Sequence, residues 1–243
     1  MSSRTHQTYT RKWAKNLKTP IFCIDYRKAP AHPYPQALDD CWQGYNWIIS
    51  NCHLFFNINP KKIILVGDSA GGNLIAALTS LIIQKQVRYP DAVILAYPAL
   101  NLNLKRFTPS HLIAIDDFIL SHTILKLCVE AYLGVQNQKQ NTIQEQQTKH
   151  NYTQDYFISP SIMPDKILQL FPQTHIFVGT EDPLHDDCIR FFQRLQQLGV
   201  QSSLTVYQNM PHGFLNFDFP QGMEESKICV NDICQLMEKI IKQ

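Results

Sequence analysis

Short apolar runs alternate with helical apolar stripes along most of this chain. Five runs of five to seven residues are rich in Ile, Val, Leu and Phe, as buried strands usually are. The predicted strands cover residues 20–26, 62–66, 92–97, 175–179 and 203–207. Apolar spacings of three and four predict helices near residues 5–18, 36–51, 73–84, 121–133, 186–198 and 224–241. This alternation predicts an α/β fold in which helices cover both faces of a mostly parallel sheet.

One long stretch interrupts the alternation between the third and fourth predicted strands. Residues 103–163 carry one predicted helix and then, after Gly134, a segment rich in Gln and Asn. Insertions of this length in a regular α/β chain are typically functional loops or lids. We therefore expect one catalytic domain over residues 1–243, with a small cap region in residues 103–163. We expect the Gln-rich part to be a mobile loop or insertion.

Composition and charge exclude several classes of protein. The chain has 243 residues, of which 44% are apolar and 17% charged, so it is not an extended disordered chain. Its net charge is only +2 and no basic run exceeds two residues, so nucleic acid is not an expected partner. The sequence contains no run of about 18 apolar residues that would predict a transmembrane helix. The first residues also lack the apolar core of a signal peptide.

The seven cysteines show no pattern of a disulfide framework or a metal site. Their number is odd, and no CxxC pair occurs in the sequence. We expect free and mostly buried thiols, which fit a reducing compartment and a cytoplasmic location. Neither a metal nor a cofactor is expected.

Glycines cluster around one serine, in the sequence GDSAGG at residues 67–72. The pattern Gly-x-Ser-x-Gly, with the serine at Ser69, lies between a predicted strand and a predicted helix, which is the context that a nucleophile elbow requires. Small residues at Gly67 and Gly71 allow a sharp turn that presents the serine hydroxyl above the strand ends. The following helix points its free amide groups toward the same place. The alternative is a glycine-rich turn that carries an incidental serine.

A serine nucleophile needs a base, and the base needs an orienting acid. In folds that carry such a nucleophile elbow, the acid follows one later strand and the histidine follows another, in that order along the chain. Asp182 follows the fourth predicted strand, and His212 lies in a loop after the fifth. The rival carboxylates are Glu181, Asp186 and Asp187. We place Asp182 against His212, because Asp186 and Asp187 suit the first turn of the next helix.

These motifs together resemble the hormone-sensitive lipase family of α/β-hydrolases. The matching segments are SSRTH at 2–6, DYRKAPAHPYPQAL at 25–38, GDSAGGN at 67–73, AYPAL at 96–100, DDFIL at 116–120, SPS at 159–161, EDPLHDD at 181–187 and MPHGF at 210–214. The resemblance implies hydrolysis of carboxylic esters by Ser69, His212 and Asp182. It places Phe118 and Leu120 in an acyl pocket. The implied substrate is a small-molecule or lipid ester, with peripheral contact to a lipid surface.

The sequence departs from that family at its beginning. The family carries a His-Gly-Gly-Gly oxyanion loop just before the position of SSRTH, and no HGG occurs in this sequence. The amide of Ala70 is then the remaining oxyanion donor, unless the Ser2–Ser3 region supplies another. The family's strand before that loop lies between the strands predicted at 20–26 and 62–66. Either these two pair directly, or, as we expect, the chain lacks its N-terminal strands. The alternative function is a catalytically impaired or non-catalytic ligand-binding hydrolase fold.

Overall fold

Four strands form one parallel sheet, ordered along the chain as they are in space. The structure is a computed structural model that describes residues 2–135 and 151–243. The strands are β1 (Ile64–Asp68), β2 (Ala92–Ala96), β3 (Gln173–Gly179) and β4 (Ser202–Tyr207). Every neighbouring pair is parallel, so all four carboxyl ends reach the same edge of the sheet. The predicted α/β fold with a parallel sheet is confirmed.

Helices fill the connections between these strands in the described part of the chain. The α-helices are α1 (Gln7–Leu17), α2 (Gln36–Phe56), α3 (Ala70–Lys85), α4 (Pro109–Ile113), α5 (His122–Tyr132), α6 (Asp165–Leu168), α7 (His185–Gln197) and α8 (Glu224–Lys242). Short 3₁₀ turns cover Pro160–Ile162 and Phe214–Phe217. The long helices match the predicted ranges, with α2 extending five residues further than expected.

Two layers of helices sandwich the sheet. The strands lie side by side in the order of the sequence, and connections between parallel strands are almost always right-handed. The connecting helices α3 and α7 therefore lie on the same face of the sheet. Helix α2 packs on α3 through an apolar cluster that includes Leu38 and Leu78. Helices α1 and α8 pack on each other, where the Trp13 indole donates a hydrogen bond to the Val230 carbonyl at 2.8 Å. Every residue of β2 is buried between the layers, whereas β1 is only half-buried.

One predicted strand is wrong. Residues 20–26 have no strand structure, and most of them are exposed rather than buried. A strand needs a neighbour that satisfies its backbone groups, and among the described residues β1 pairs only with β2. Residues 20–26 and β1 therefore do not pair directly with each other. Arg27, just beyond this segment, is held instead by a two-pronged ion pair with Asp40.

The stretch between β2 and β3 begins with a segment that lies close to the strand ends. Residues 103–135, here named the inserted segment, contain α4 and α5. Helix α4 is anchored at Ser110, whose hydroxyl donates to the Pro183 carbonyl at 2.8 Å and whose amide donates to Asp186 at 3.0 Å. The expected mobile Gln-rich loop lies largely at 136–150, outside the described residues.

Two broader expectations concern cysteines and membranes. All seven cysteines are free thiols, and five of them are buried. Across residues 2–135 and 151–243, no helix has the length and apolar character needed to cross a bilayer.

Candidate active site

Ser69 sits on a tight turn between β1 and α3, here named the elbow (residues 67–72). Its φ of 55° lies in the left-handed region, an uncommon conformation for a residue other than glycine. Two backbone bonds fix the turn to the end of β2. The Ser69 amide donates to the Ala96 carbonyl at 2.9 Å, and the Ala99 amide donates to the Ser69 carbonyl at 3.1 Å. The serine hydroxyl is therefore presented at the carboxyl edge of the sheet.

The elbow depends on glycine at two positions, one of which differs from the prediction. A Cβ at Gly67 would lie 2.4 Å from the Gly71 carbonyl oxygen, so no larger residue fits there without backbone movement. Gly72 is equally constrained, because its Cβ would lie 2.7 Å from Pro98. Gly71 was expected to share this constraint. A Cβ at that position would meet only an Asp68 oxygen, at 3.8 Å.

His212 lies between Ser69 and Asp182 and contacts both. Its Nε2 is 2.8 Å from the Ser69 hydroxyl, and its Nδ1 is 2.8 Å from Asp182 Oδ2. Because an ionised carboxylate can only accept, the pairing favours a proton on Nδ1 and leaves Nε2 free to accept from the hydroxyl. The structure thus brings together the three side chains predicted from sequence, which come from positions up to 143 residues apart.

The two loops that supply His212 and Asp182 are joined to each other. We name residues 180–184 the acid loop and residues 208–217 the histidine loop. The Glu181 amide donates to the Met210 carbonyl at 3.1 Å, and the Asn209 amide donates to the Thr180 hydroxyl at 2.8 Å. At Gly179, just before the acid loop, an added Cβ would come within 2.0 Å of that same Met210 carbonyl. Only glycine allows the loops to approach this closely.

The position of each candidate carboxylate separates Asp182 from its rivals. Asp182 is fully buried, and its second oxygen accepts from the Leu184 amide at 2.8 Å. Glu181 is exposed. Asp186 and Asp187 lie in the first turn of α7, as predicted. Among the described residues, none of these three rivals makes a hydrogen bond to the His212 ring.

The surroundings of His212 favour its charged form. Burial by itself lowers the pKa of this imidazole, since only 3% of the residue is exposed. The negative charge and the hydrogen bond of Asp182 act in the opposite sense, helped by the charges of Asp117 and Asp68. The net result is a pKa raised above the ordinary histidine value. The site can therefore hold an imidazolium that forms transiently.

The expected oxyanion donors can also be located. Ala70 is the first residue of α3 and is exposed. Amides in the first turn of a helix have no intrahelical acceptor, so the Ala70 amide is available to an anion beside Ser69. Ser3 does not fill the role suggested for the Ser2–Ser3 region. Its amide and its hydroxyl both donate to the Asp25 carboxylate, at 2.7 and 2.6 Å.

Phe118 and Leu120, predicted to line an acyl pocket, lie in the inserted segment close to the histidine loop. Phe118 is 63% exposed, and its ring lies 5.9 Å from that of Phe217. Leu120 is half-buried and packs on a small apolar cluster with Leu125 and Leu184. Their part in binding an acyl chain stays a prediction.

Sequence patterns did not reveal several residues around the site. Tyr97 is fully buried behind the imidazole, at 4.9 Å between ring centroids. His6 Nε2 lies 3.2 Å from Asp68, the residue before Ser69, and its Nδ1 lies 3.0 Å from the Ser2 carbonyl. The hydrogen bond to Asp68 raises the pKa of His6. The protonated ring is favoured because it can donate from both nitrogens to these two acceptors. Such contacts join residues far apart in the chain, which no local motif records.

A metal would need several convergent ligands. Within the part of the chain that the structure describes, no three His, Cys, Asp or Glu side chains converge to form such a site.

Comparison with known proteins gives consistent matches over most of the chain. A family model described as the alpha/beta hydrolase fold matches residues 1–216. An esterase from Acinetobacter venetianus is 30% identical over 229 residues, which cover 92% of this chain and 67% of that protein. An esterase structure from Pyrobaculum calidifontis superposes with a TM-score of 0.85 at 25% identity, and covers 99% of this chain and 72% of that one.

The animal relatives match over a shorter region. Hormone-sensitive lipase from Mus musculus is 38% identical over 135 residues, which cover 56% of this chain. The same match covers only 18% of the mouse protein. The chain therefore corresponds to a small part of the lipases that it resembles.

Proposed function

The chain belongs to the α/β-hydrolase fold family, and on that premise we propose that it is a serine carboxylic ester hydrolase. The observation that carries the proposal is the continuous hydrogen-bonded path from the Ser69 hydroxyl through His212 to Asp182, with both distances at 2.8 Å. Many proteins contain serines and histidines. A half-buried serine, a buried base and a fully buried acid, hydrogen-bonded in this order, form a nucleophilic catalyst.

The first half of the reaction is acylation of the serine. As the Ser69 oxygen forms a bond to the ester carbonyl carbon, its proton passes to His212 Nε2. Asp182 holds the ring through the Nδ1 proton and stabilises the positive charge that appears. The imidazolium then gives its proton to the departing alcohol as the bond between carbonyl carbon and alkoxy oxygen breaks. The acyl group remains on Ser69.

The second half returns the enzyme to its starting state. His212 takes a proton from water while the water oxygen attacks the acyl carbon. The bond to Ser69 breaks, the serine recovers its proton from the imidazolium, and a carboxylic acid leaves. In both halves the carbonyl oxygen becomes negative, and we assign its stabilisation to the Ala70 amide.

Esterase and lipase names among the relatives support this reaction. The relatives named esterases extend over most of this chain. The name lipase belongs to proteins of which this chain matches a small share, so a lipid ester is the finer part of the proposal. A small-molecule ester satisfies the same chemistry.

The alternative is a ligand-binding protein that retains the site but turns over little ester. The observation in its favour is that the given sequence offers the Ala70 amide at the elbow as an oxyanion donor but contains no HGG segment. Loss of one oxyanion donor costs roughly 10²–10³ in rate. Such a protein would still be expected to bind esters and react slowly at Ser69.

Turnover of p-nitrophenyl butyrate separates these functions. We expect hydrolysis that saturates with substrate and that disappears in Ser69→Ala, a change that removes one oxygen without altering the elbow. Ser203→Ala, which changes a serine on β4 away from the triad, is the matched control and should retain activity. Binding of the butyrate ester without turnover by a folded wild-type chain would favour the ligand-binding alternative. Equal turnover by wild type and Ser69→Ala would exclude the proposed site.

We also propose that the inserted segment is a cap and that its apolar surface contacts lipid. Large apolar side chains are exposed there, among them Leu112 at 62% and Ile113 at 66%. Exposed apolar clusters commonly mark binding surfaces. A double Leu112→Ser, Ile113→Ser variant should bind phosphatidylcholine vesicles more weakly while hydrolysing a short soluble ester as before. Ile228→Ser, at an exposed position of α8, is the control. Equal losses from both variants would contradict the assignment.

The free thiols support the cytoplasmic location expected from the sequence. Cys23 and Cys128 are exposed, and exposed thiols persist most readily under reducing conditions.

A further inference from the structure

A single carboxylate joins the inserted segment to the histidine loop. Asp117 Oδ2 accepts a hydrogen bond from the His212 backbone amide at 3.2 Å. Its other oxygen accepts from the amides of Ile119 and Leu120, at 2.8 and 2.6 Å. The same side chain thus fixes the turn at 117–120 and holds the residue that carries the imidazole.

The surfaces on either side of this contact are closely apposed. Gly213, which follows His212, has a φ of +72°, and a Cβ added there would lie 3.4 Å from Ile119 Cδ1. The rings of Phe118 and Phe217 lie 5.9 Å apart across the same boundary. The inserted segment therefore meets the histidine loop through apolar contacts as well as through the Asp117 hydrogen bond.

Charges face His212 from several elements. Asp182 approaches from the acid loop, Asp117 from the inserted segment and Asp68 from the end of β1, and all three charges raise the pKa of His212. The phenol ring of Tyr97 packs against the imidazole from the end of β2. Asp117 differs from the other two carboxylates because it also holds the His212 backbone.

We propose that Asp117 is a positioning residue that couples the inserted segment to the catalytic base. Its hydrogen bond to the His212 amide fixes the backbone from which the imidazole projects, and its charge favours the protonated ring. This inference rests on the proposed function of His212. It adds that correct placement of the base depends on the inserted segment, through Asp117, which lies 95 residues before His212 in the chain.

Three variants separate this role from plain stabilisation of a turn. Asp117→Asn removes the charge and keeps one accepting oxygen, which can serve either the His212 amide or the Ile119 and Leu120 amides, but not both sets. Asp117→Ala removes both. Asp116→Asn is the matched control, because Asp116 is the neighbouring residue and its side chain is exposed. In the described part of the chain, the carboxylate that bonds the His212 amide is Asp117 and not Asp116.

The first measurement is the pH profile of kcat/KM for p-nitrophenyl butyrate. His212 must be neutral to act as base, so the rate rises as pH increases through its pKa. Loss of the Asp117 charge lowers that pKa, and the acid limb of Asp117→Asn should move to lower pH by roughly one unit. Asp117→Ala should lose at least about tenfold in kcat with little change in KM. Asp116→Asn should match wild type in both.

The second measurement does not require turnover. NMR titration of the His212 imidazole should give a lower pKa in Asp117→Asn than in wild type, and an unchanged pKa in Asp116→Asn. If the wild-type chain hydrolyses no ester, the proposed function fails while this titration still tests Asp117. An unchanged His212 pKa in Asp117→Asn, or an equal shift in Asp116→Asn, would overturn the proposal.

Discussion

The elbow carries Ser69 and the histidine loop carries His212, but the two segments are held in place by different means. The elbow is determined almost entirely by its own six residues and the end of β2, through close backbone contacts at Gly67 and Gly72. The histidine loop is held by side chains and backbone from two distant parts of the chain, namely Asp117 in the inserted segment and residues Gly179 and Asp182 at the acid loop. A nucleophile can thus be specified locally, whereas its base depends on the completed tertiary structure.

The largest effect should come from the acid that orients the histidine. Asp182→Asn should lower kcat by a factor of about 10⁴, as the same change does in the serine protease triad, because the amide no longer favours the proton on Nδ1. The fold should survive, since the replacement has nearly the same shape. Measurement of kcat by initial rates tests this, with Asp186→Asn as the control.

Asp186 accepts from the Ser110 amide and not from His212, so its amide variant should change kcat little. A larger loss in Asp186→Asn than in Asp182→Asn would show that the wrong carboxylate has been assigned.

The next effect concerns the contact between the acid and histidine loops. In Gly179→Ala the new methyl group would lie 2.0 Å from the Met210 carbonyl, so the histidine loop must move. Displacement of a catalytic group by about 1 Å can cost roughly 10² in rate. We expect a loss of that order in kcat, with substrate binding much less affected. A fully active Gly179→Ala enzyme would mean that the histidine loop tolerates displacement.

The corresponding change in the elbow should act mainly on stability. Gly67→Ala places a methyl group 2.4 Å from the Gly71 carbonyl, and overpacking of this kind costs about 1–3 kcal/mol of the free energy of unfolding. Gly71→Ala is the matched control, because the Cβ has room and alanine suits a helix. Urea denaturation of both variants measures the difference. If Gly71→Ala is the more destabilised, the close contact is not what requires glycine.

The smallest expected effect concerns Asp187, a carboxylate near Asp182 to which we assign no catalytic role. Burial raises the pKa of Asp187 to about 6, above the value of an unfolded chain, so ionisation of this group opposes folding. The cost is absent below pH 4, grows between pH 4 and 6 and is complete above that range. Asp187→Asn should therefore be more stable than wild type at pH 7, by about 1 kcal/mol.

Thermal unfolding at pH 4 and pH 7 tests the sign of that effect. The gain in stability should vanish at the lower pH. A gain that is the same at both pH values would mean that the ionisation of Asp187 is not its cause.

The sequence predicted most of the strands and helices, which depend on local patterns, and few of the contacts between residues that are far apart in the chain. Helices α3, α7 and α8 and strands β1 to β4 follow from apolar periodicity within the segments themselves, to within about two residues for the strands. The triad positions follow because parallel strands end at one edge. The strand predicted at 20–26 failed, since an apolar run forms a strand only beside a partner that accepts its hydrogen bonds.

The residues that surround His212 could not be predicted for the same reason. Asp117 and Tyr97 carry no motif, and their contacts exist only after the inserted segment and β2 have packed against the histidine loop. Gly179 has no distinguishing feature in the sequence, because its requirement for glycine comes from the Met210 carbonyl, which only the folded structure brings next to it.

The most direct test of the central claim is covalent labelling of Ser69. A p-nitrophenyl alkylphosphonate ester should release one p-nitrophenolate per folded chain and leave the phosphonyl group on the Ser69 oxygen, which peptide mass spectrometry can locate. The reaction requires the base, so Ser69→Ala and His212→Ala should both remain unlabelled. Stoichiometric labelling at Ser69 alone is the predicted result. Labelling at another residue, or equal labelling of Ser69→Ala and wild type, would contradict the account.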